Sequence, residues 1–268
     1  MSDGSFILTL DFPAYRALRR WNASALRAMR QGPPARVQWE LAHPKESTPA
    51  MHFGRAVHTA LIEPERFARE YVRRPDNIDY RTKDGKAWRD EHAGEEVLTG
   101  DDWSRCADVV DAVLAHPAAG RSLGATVLRE ATLTWQDCKA RPDWIADGRI
   151  VEFKVTRHAN AGEWMAHRAF ADGWMHQLAW YREGARACGL DVQGGRLVLV
   201  SPTAPHFVHA LEVKPDALDL IALENKRTLE AMRECEARGV WEGTLESWRL
   251  VEPPAGAQMI EMGEEDGA

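Results

Sequence analysis

The chain has 268 residues, 44% of them hydrophobic and 28% charged, which excludes a disordered or fibrous protein and allows a sizeable buried core. A formal charge of −7 argues against a protein that coats nucleic acid by bulk electrostatics, and apolar runs such as RLVLV at 196–200 fall far short of the roughly 20 residues a membrane span needs. Cys106, Cys138, Cys188 and Cys235 stand 32, 50 and 47 apart with no CxxC pair, which argues against a zinc or iron–sulfur site and fits buried thiols in a reducing compartment.

The N-terminus has neither a basic n-region nor a small-residue cleavage site, so a cytoplasmic location is expected. Residues 12–41 predict two short helices, around YRALRRW and NASALRAM, the second capped by Asn22 or Ser24 and ended by Gly32-Pro33-Pro34. Residues 12–45 carry seven basic side chains against the single acid Glu40, the pattern of an anion-facing surface. Phe53, Val57, Ala60 and Leu61 then recur at helical spacing before Pro64. The polar, turn-rich stretch 73–95 predicts an exposed, mobile excursion. A helix is expected at about 101–116, ending before Pro117.

From there the pattern turns to strands: TVLREATLTW (126–135), CKARPDWI (138–145) and GRIVEFKVT (148–156). One amphipathic helix at about 163–188, the strand RLVLVSP and a last helix at about 215–238 follow. Residues 215–268 hold 13 acids and 5 bases, and 252–268 reads as an acidic tail. These elements predict a single α/β (α+β) domain over residues 1–268, with a central mixed β-sheet and a hairpin flanked by helices.

The most informative stretch is residues 140–156. Asp147-Gly148 between two alternating apolar runs is a strong hairpin signal. With those two residues as the loop, Asp143 faces Glu152 and Arg141 faces Lys154. All four share one sheet face, and Val151, Phe153 and Val155 line the other. Two carboxylates opposed at about 5 Å repel unless positive charge lies between them. That charge is either a hard cation such as Mg²⁺ or Mn²⁺, with Lys154 beside it to position or deprotonate a water, or simply the neighbouring Arg and Lys of an exposed salt-bridge ladder.

The residues Pro142-Asp143, eight intervening residues, then Glu152-Phe153-Lys154 resemble the PD-(D/E)xK nuclease motif. Gly54-Arg55-Ala56-Val57-His58 is similar to the GxxxH helix of RecB nuclease domains, CRISPR-associated four-cysteine nucleases and exonuclease VIII. Gln177 and Tyr181 match the QxxxY motif of that group. The early NASALRAMRQGPPARVQW and the late Cys235-x-x-x-Gly239-x-Trp241-x-Gly243 resemble the two ends of the exonuclease VIII (RecE) C-terminal nuclease. Glu152 replaces the Asp usual among those relatives, Val155 replaces their Thr, and the four-cysteine cluster is absent.

The resemblance implies a restriction-endonuclease-like core and an ATP-independent phosphodiesterase with two Mg²⁺ (or Mn²⁺) ions and no iron–sulfur cluster. His58, Asp143, Glu152 and the Phe153 carbonyl would be metal ligands, and Lys154 would activate the attacking water. Gln177 and Tyr181 would brace the Lys154 side, and Glu130 would add an outer contact. Ser24, Arg27 and Arg141 would touch DNA. The implied activity digests duplex DNA from 5′ ends, giving 5′-phosphate products and a 3′ single strand. Implied partners are double-stranded DNA ends, a RecT-like annealing protein and further copies of the chain in a ring. A structure-specific or restriction-like endonuclease and a non-catalytic DNA-end-binding module are the rival readings.

Overall fold

The computed structural model describes residues 6–43, 46–160 and 164–243. The acidic tail at 252–268 lies outside them, as do Pro44 and Lys45. The chain opens with β1 (Phe6–Leu8) and α1 (Phe12–Ala17). Asn22 caps α2 (Ala23–Gln31) by accepting from the Ala25 amide at 3.0 Å. After the Gly-Pro-Pro break comes α3 (Ala35–Ala42). Thr48 caps α4 (Pro49–Ile62), whose Phe53, Val57 and Leu61 are buried as their spacing predicts. Pro64 starts a new helix, α5 (Pro64–Glu70), since a proline is tolerated in a first turn. Two short parallel strands, β2 (Tyr71–Arg73) and β3 (Glu96–Leu98), bracket α6 (Lys83–Glu91).

The excursion at 73–95 is largely exposed, as expected, and carries a helix that its turn-rich sequence did not announce. Thr82 caps it, and the Trp88 ring stacks on His92 at 4.0 Å. Next come α7 (Gly100–Ala115) and α8 (Pro117–Gly124). Residues 126–135 do not form one strand. They split into β4 (Thr126–Arg129) and β5 (Thr132–Trp135), with the corner at Glu130, whose φ is +47°. Likewise 138–145 splits into β6 (Cys138–Ala140) and β7 (Trp144–Ala146). Pro142 is the physical reason, because it has no amide to extend a ladder.

The β7–β8 hairpin, with β8 spanning Arg149–Val155, has the predicted loop and register. Asp147 and Gly148 both have positive φ, +50° and +66°, the backbone of a tight primed turn. Trp144 lies opposite Val151, Ile145 opposite Ile150 and Ala146 opposite Arg149. The expected helix at 163–188 is two, α9 (Trp164–Ala171) and α10 (Trp174–Ala187), broken at Gly173 with φ +79°. Then come β9 (Gly194–Val200), β10 (Val208–Val213) and α11 (Pro215–Arg238). The strand β10 was not foreseen.

The main sheet has the order β10-β9-β8-β7-β4, mixed because β8 and β9 are parallel while its other pairs are antiparallel. A second sheet, β1-β5-β6, leans beside it. On one face Ile145, Ile150, Leu197 and Leu199 pack with Leu26, Leu178, Leu218 and Met232 of α2, α10 and α11. On the other, Val151, Phe153, Val198 and Val200 pack with Phe53, Val57, Val109 and Leu123 of α4, α7 and α8. The resulting helix–sheet–helix sandwich buries β8 on both sides, so a polar residue on β8 sits in a low-dielectric setting.

Candidate active site

Three elements converge on the end of the β7–β8 hairpin. The β7–β8 ladder stops at Trp144–Val151, so Asp143 lies one residue beyond it, next to Glu152 in sequence register but outside the pairing. Its side chain turns toward α4. Asp143 Oδ1 accepts from His58 Nε2 at 2.9 Å, and Oδ2 accepts from the Phe153 amide at 2.6 Å. The expectation that Arg141 faces Lys154 is corrected: Arg141 lies on the far side of Pro142, with its side chain only 6% exposed. It pairs with Glu130 and donates to the Leu10 carbonyl at 2.7 Å.

Glu130 sits at the corner between the two sheets rather than on a strand. Its left-handed backbone places Oε1 3.4 Å from His58 Nε2. A non-glycine residue in that region costs of order 1 kcal/mol or more and clusters at functional sites. One ligand atom each from His58, Glu130 and Asp143 lies within 4.8 Å of the others. His58 keeps 28% of its side chain exposed, so the cluster is open to solvent.

Glu152, buried next to this trio but not one of it, forms an ion pair with Lys154. Its other oxygen, Oε2, is buried without a hydrogen-bond partner among the described residues. An orphaned carboxylate oxygen beside a His–Glu–Asp cluster is a donor set of nitrogen and hard oxygens, and it fits a divalent cation of the Mg²⁺ or Mn²⁺ type. On α10, Gln177 Nε2 donates to the Tyr181 hydroxyl at 2.7 Å, one turn apart. Tyr181 lies within electrostatic reach of Glu152. Ser24 and Arg27 are on the exposed side of α2, and Arg27 is close enough to act on Lys154.

The charges compete for too few counter-ions. Burial and then Asp143 push the Glu152 carboxyl up to about 8, against the pull of Lys154. Burial and Asp143 also raise Glu130, against His58 and Arg141. Burial would lower the His58 imidazole, but its ion pair and hydrogen bond with Asp143, with Glu130 behind, lift it to about 9. Asp143 is held below its ordinary range: His58, Lys154 and the Phe153 amide outweigh its burial. Two protonated side chains thus occupy the positive positions of a carboxylate-rich site.

Sequence reasoning brought together His58, Glu130, Asp143, Glu152 and Lys154, and the structure does place them at one end of β8. The amide of Phe153 is committed to Asp143, while its ring packs under His58 with the ring centres 6.4 Å apart. What the sequence missed is the pairing of Arg141 with Glu130. No local signal marks it, because the backbone corner at Glu130 sets it.

A mixed sheet carrying an Asp-hairpin-Glu-x-Lys motif between two helical layers is the architecture of the PD-(D/E)xK nuclease class. The model of one of its families, the PDDEXK-like domain of unknown function (DUF3799), matches residues 22–248, and the chain belongs to that family. Among solved structures, a protein of Eubacterium rectale provisionally assigned as an exonuclease is similar in fold. The TM-score is 0.59 at 13% identity, covering 85% of this chain and 88% of that one. Two structures of LHK-Exo, the alkaline exonuclease of Laribacter hongkongensis, one of them with dAMP, overlap far less well. Their TM-scores are 0.38 and 0.34 at 17% and 14% identity, over 85% of this chain and 94% and 96% of theirs. No curated protein matches. Among the described residues no helix is long and apolar enough to cross a membrane.

Proposed function

We propose that the chain is a divalent-metal-dependent, ATP-independent DNA exonuclease that digests duplex DNA from 5′ ends, leaving 5′-phosphate products and a 3′ single strand. The observation that carries the reading is the His58–Glu130–Asp143 cluster beside a Glu152 carboxylate with an unpartnered buried oxygen. In this reading His58, Asp143, Glu152 and the Phe153 carbonyl hold Mg²⁺ or Mn²⁺, two ions as in the nucleases the sequence resembles, with Glu130 as an additional ligand. A bound divalent ion supplies charge that acidifies water and neutralises phosphate oxygens.

The protein's own groups do the rest. Lys154, anchored by Glu152, orients the attacking water and offers positive charge to the phosphate. Gln177 and Tyr181, tied to each other, brace the Glu152–Lys154 side. Ser24 and Arg27, on the exposed face of the basic N-terminal helices, hold a DNA phosphate. Arg141 serves Glu130 instead of DNA. By resemblance to exonuclease VIII, the 3′ strand passes to a RecT-like annealing partner during recombination in the cytoplasm. A ring of identical subunits would retain DNA by encirclement despite the net negative charge.

The test is digestion of linear duplex labelled separately at the 5′ and 3′ ends, beside covalently closed circles, with Mg²⁺ and no ATP. Early release of 5′ label with intact circles supports the reading. Early release of 3′ label overturns the polarity, and cut circles overturn the end requirement in favour of an endonuclease.

A further inference from the structure

Two buried cations fasten the N-terminal segment over the site. Lys139 Nζ donates to the carbonyls of Tyr15 at 2.8 Å, Arg16 at 3.3 Å and Leu18 at 2.7 Å, satisfying the open end of α1. Arg141, two residues on, holds the Leu10 carbonyl just before α1 and the Glu130 carboxylate at once. Between them lies the Tyr15 ring, with Lys139 Nζ 4.6 Å and the Arg141 guanidinium carbon 5.8 Å from its centre. Two cations over one aromatic ring fix its orientation.

That hydroxyl lies within electrostatic reach of Glu152 and Glu130, and of the Tyr181 phenol across the site. It makes no hydrogen bond among the described residues, although nearly every other polar group in this neighbourhood is paired. Burial, against Arg141 and aided by the two carboxylates, holds the phenol well above its ordinary range, so it stays protonated and able to donate to a negatively charged group. Tyr15 is part-exposed, so solvent satisfies its hydroxyl in the free protein and the hydroxyl is free to change partner. It is well placed for a substrate whose phosphate oxygens arrive with their own charge.

We propose that Tyr15 is a substrate-contact residue of this site: its hydroxyl donates to a non-bridging oxygen of the DNA phosphate seated there, and α1, clamped by Lys139 and Arg141, forms the wall of that phosphate seat. The inference rests on the nuclease reading for its substrate and on the geometry of α1 for its residue. Tyr15→Phe isolates the hydroxyl, because it keeps the ring that Lys139 and Arg141 grip. With linear duplex and Mg²⁺, kcat/KM of Y15F falls roughly tenfold to hundredfold, the loss expected for one hydrogen bond to a charged group.

A second readout does not depend on turnover: affinity for a short 5′-phosphorylated duplex in Ca²⁺, which weakens several-fold in Y15F at an unchanged thermal midpoint. If the wild-type protein cleaves nothing, the nuclease reading fails and the Ca²⁺ affinity still decides the role of Tyr15. Y15F that equals the wild type in Ca²⁺ affinity, and in cleavage where cleavage occurs, overturns the inference. So does a defect that appears only with a lowered thermal midpoint, which would mark Tyr15 as packing.

Discussion

Lys154 and Glu152 hold each other at the end of β8, so each removal has a separate signature. Lys154→Ala takes away the group that orients water, and DNA cleavage should fall about 10²- to 10⁴-fold while DNA binding persists. A single-turnover assay beside a binding titration checks this. Arg141→Ala acts on stability instead. It leaves the part-buried Glu130 next to Asp143 with only His58 as a counter-charge, a loss of about 1–3 kcal/mol. Urea unfolding should show that drop, and Arg141→Lys should recover part of it because an ammonium restores the charge without the planar fork.

At the scale of elements, α10 must lie close against the second sheet for Gln177 and Tyr181 to reach the site. Gly184 makes this possible: a Cβ there would meet the Trp135 ring at 2.5 Å, and Trp135 is itself wedged against Trp180 at 4.9 Å. Gly184→Ala should cost about 1–3 kcal/mol by overpacking and lift α10 off β5, with reduced cleavage as a consequence. Calorimetric melting and the cleavage rate together test it. Much of this level was legible beforehand. Asp147-Gly148 gave the hairpin and its register, Asn22 and Thr48 sit at helix starts, and the last helix ends at Arg238 as its Gly239 implies. Three breaks were not foreseen. Pro142 and Gly173 carry local signals, a missing amide and a residue free to take positive φ, that periodicity alone passes over, whereas the corner at Glu130 has no such signal and is imposed by packing two sheets around one site. The candidate ligands were visible because their spacing is local; the Arg141–Glu130 strut and the Tyr15 clamp join residues that only the fold makes neighbours.

For the whole molecule, the C-terminal end of the described chain closes against the N-terminal helical part. The Ala35 amide donates to the Glu242 carbonyl at 3.0 Å, and Trp241 lies 6.2 Å from Trp21. The helix α11 is further tied to the β5–β6 turn by Arg233, which pairs with Asp137 and holds its carboxyl below the usual range. A depressed carboxylate stabilises the fold above the ordinary Asp value of about 4, and that stability is lost as pH falls through the lower folded value. Melting between pH 6 and 3 should therefore show a steeper acid decline in the wild type than in Arg233→Met. The pair is part-exposed, so the difference should shrink with added salt.

The central claim is that the end of this hairpin is a divalent-metal centre. Titration calorimetry of Mn²⁺ into the metal-stripped protein measures that directly. Saturable binding that is lost in Asp143→Asn, with the fold intact by circular dichroism, is the result predicted. Absence of Mn²⁺ binding, or binding that Asp143→Asn leaves unchanged, would contradict it.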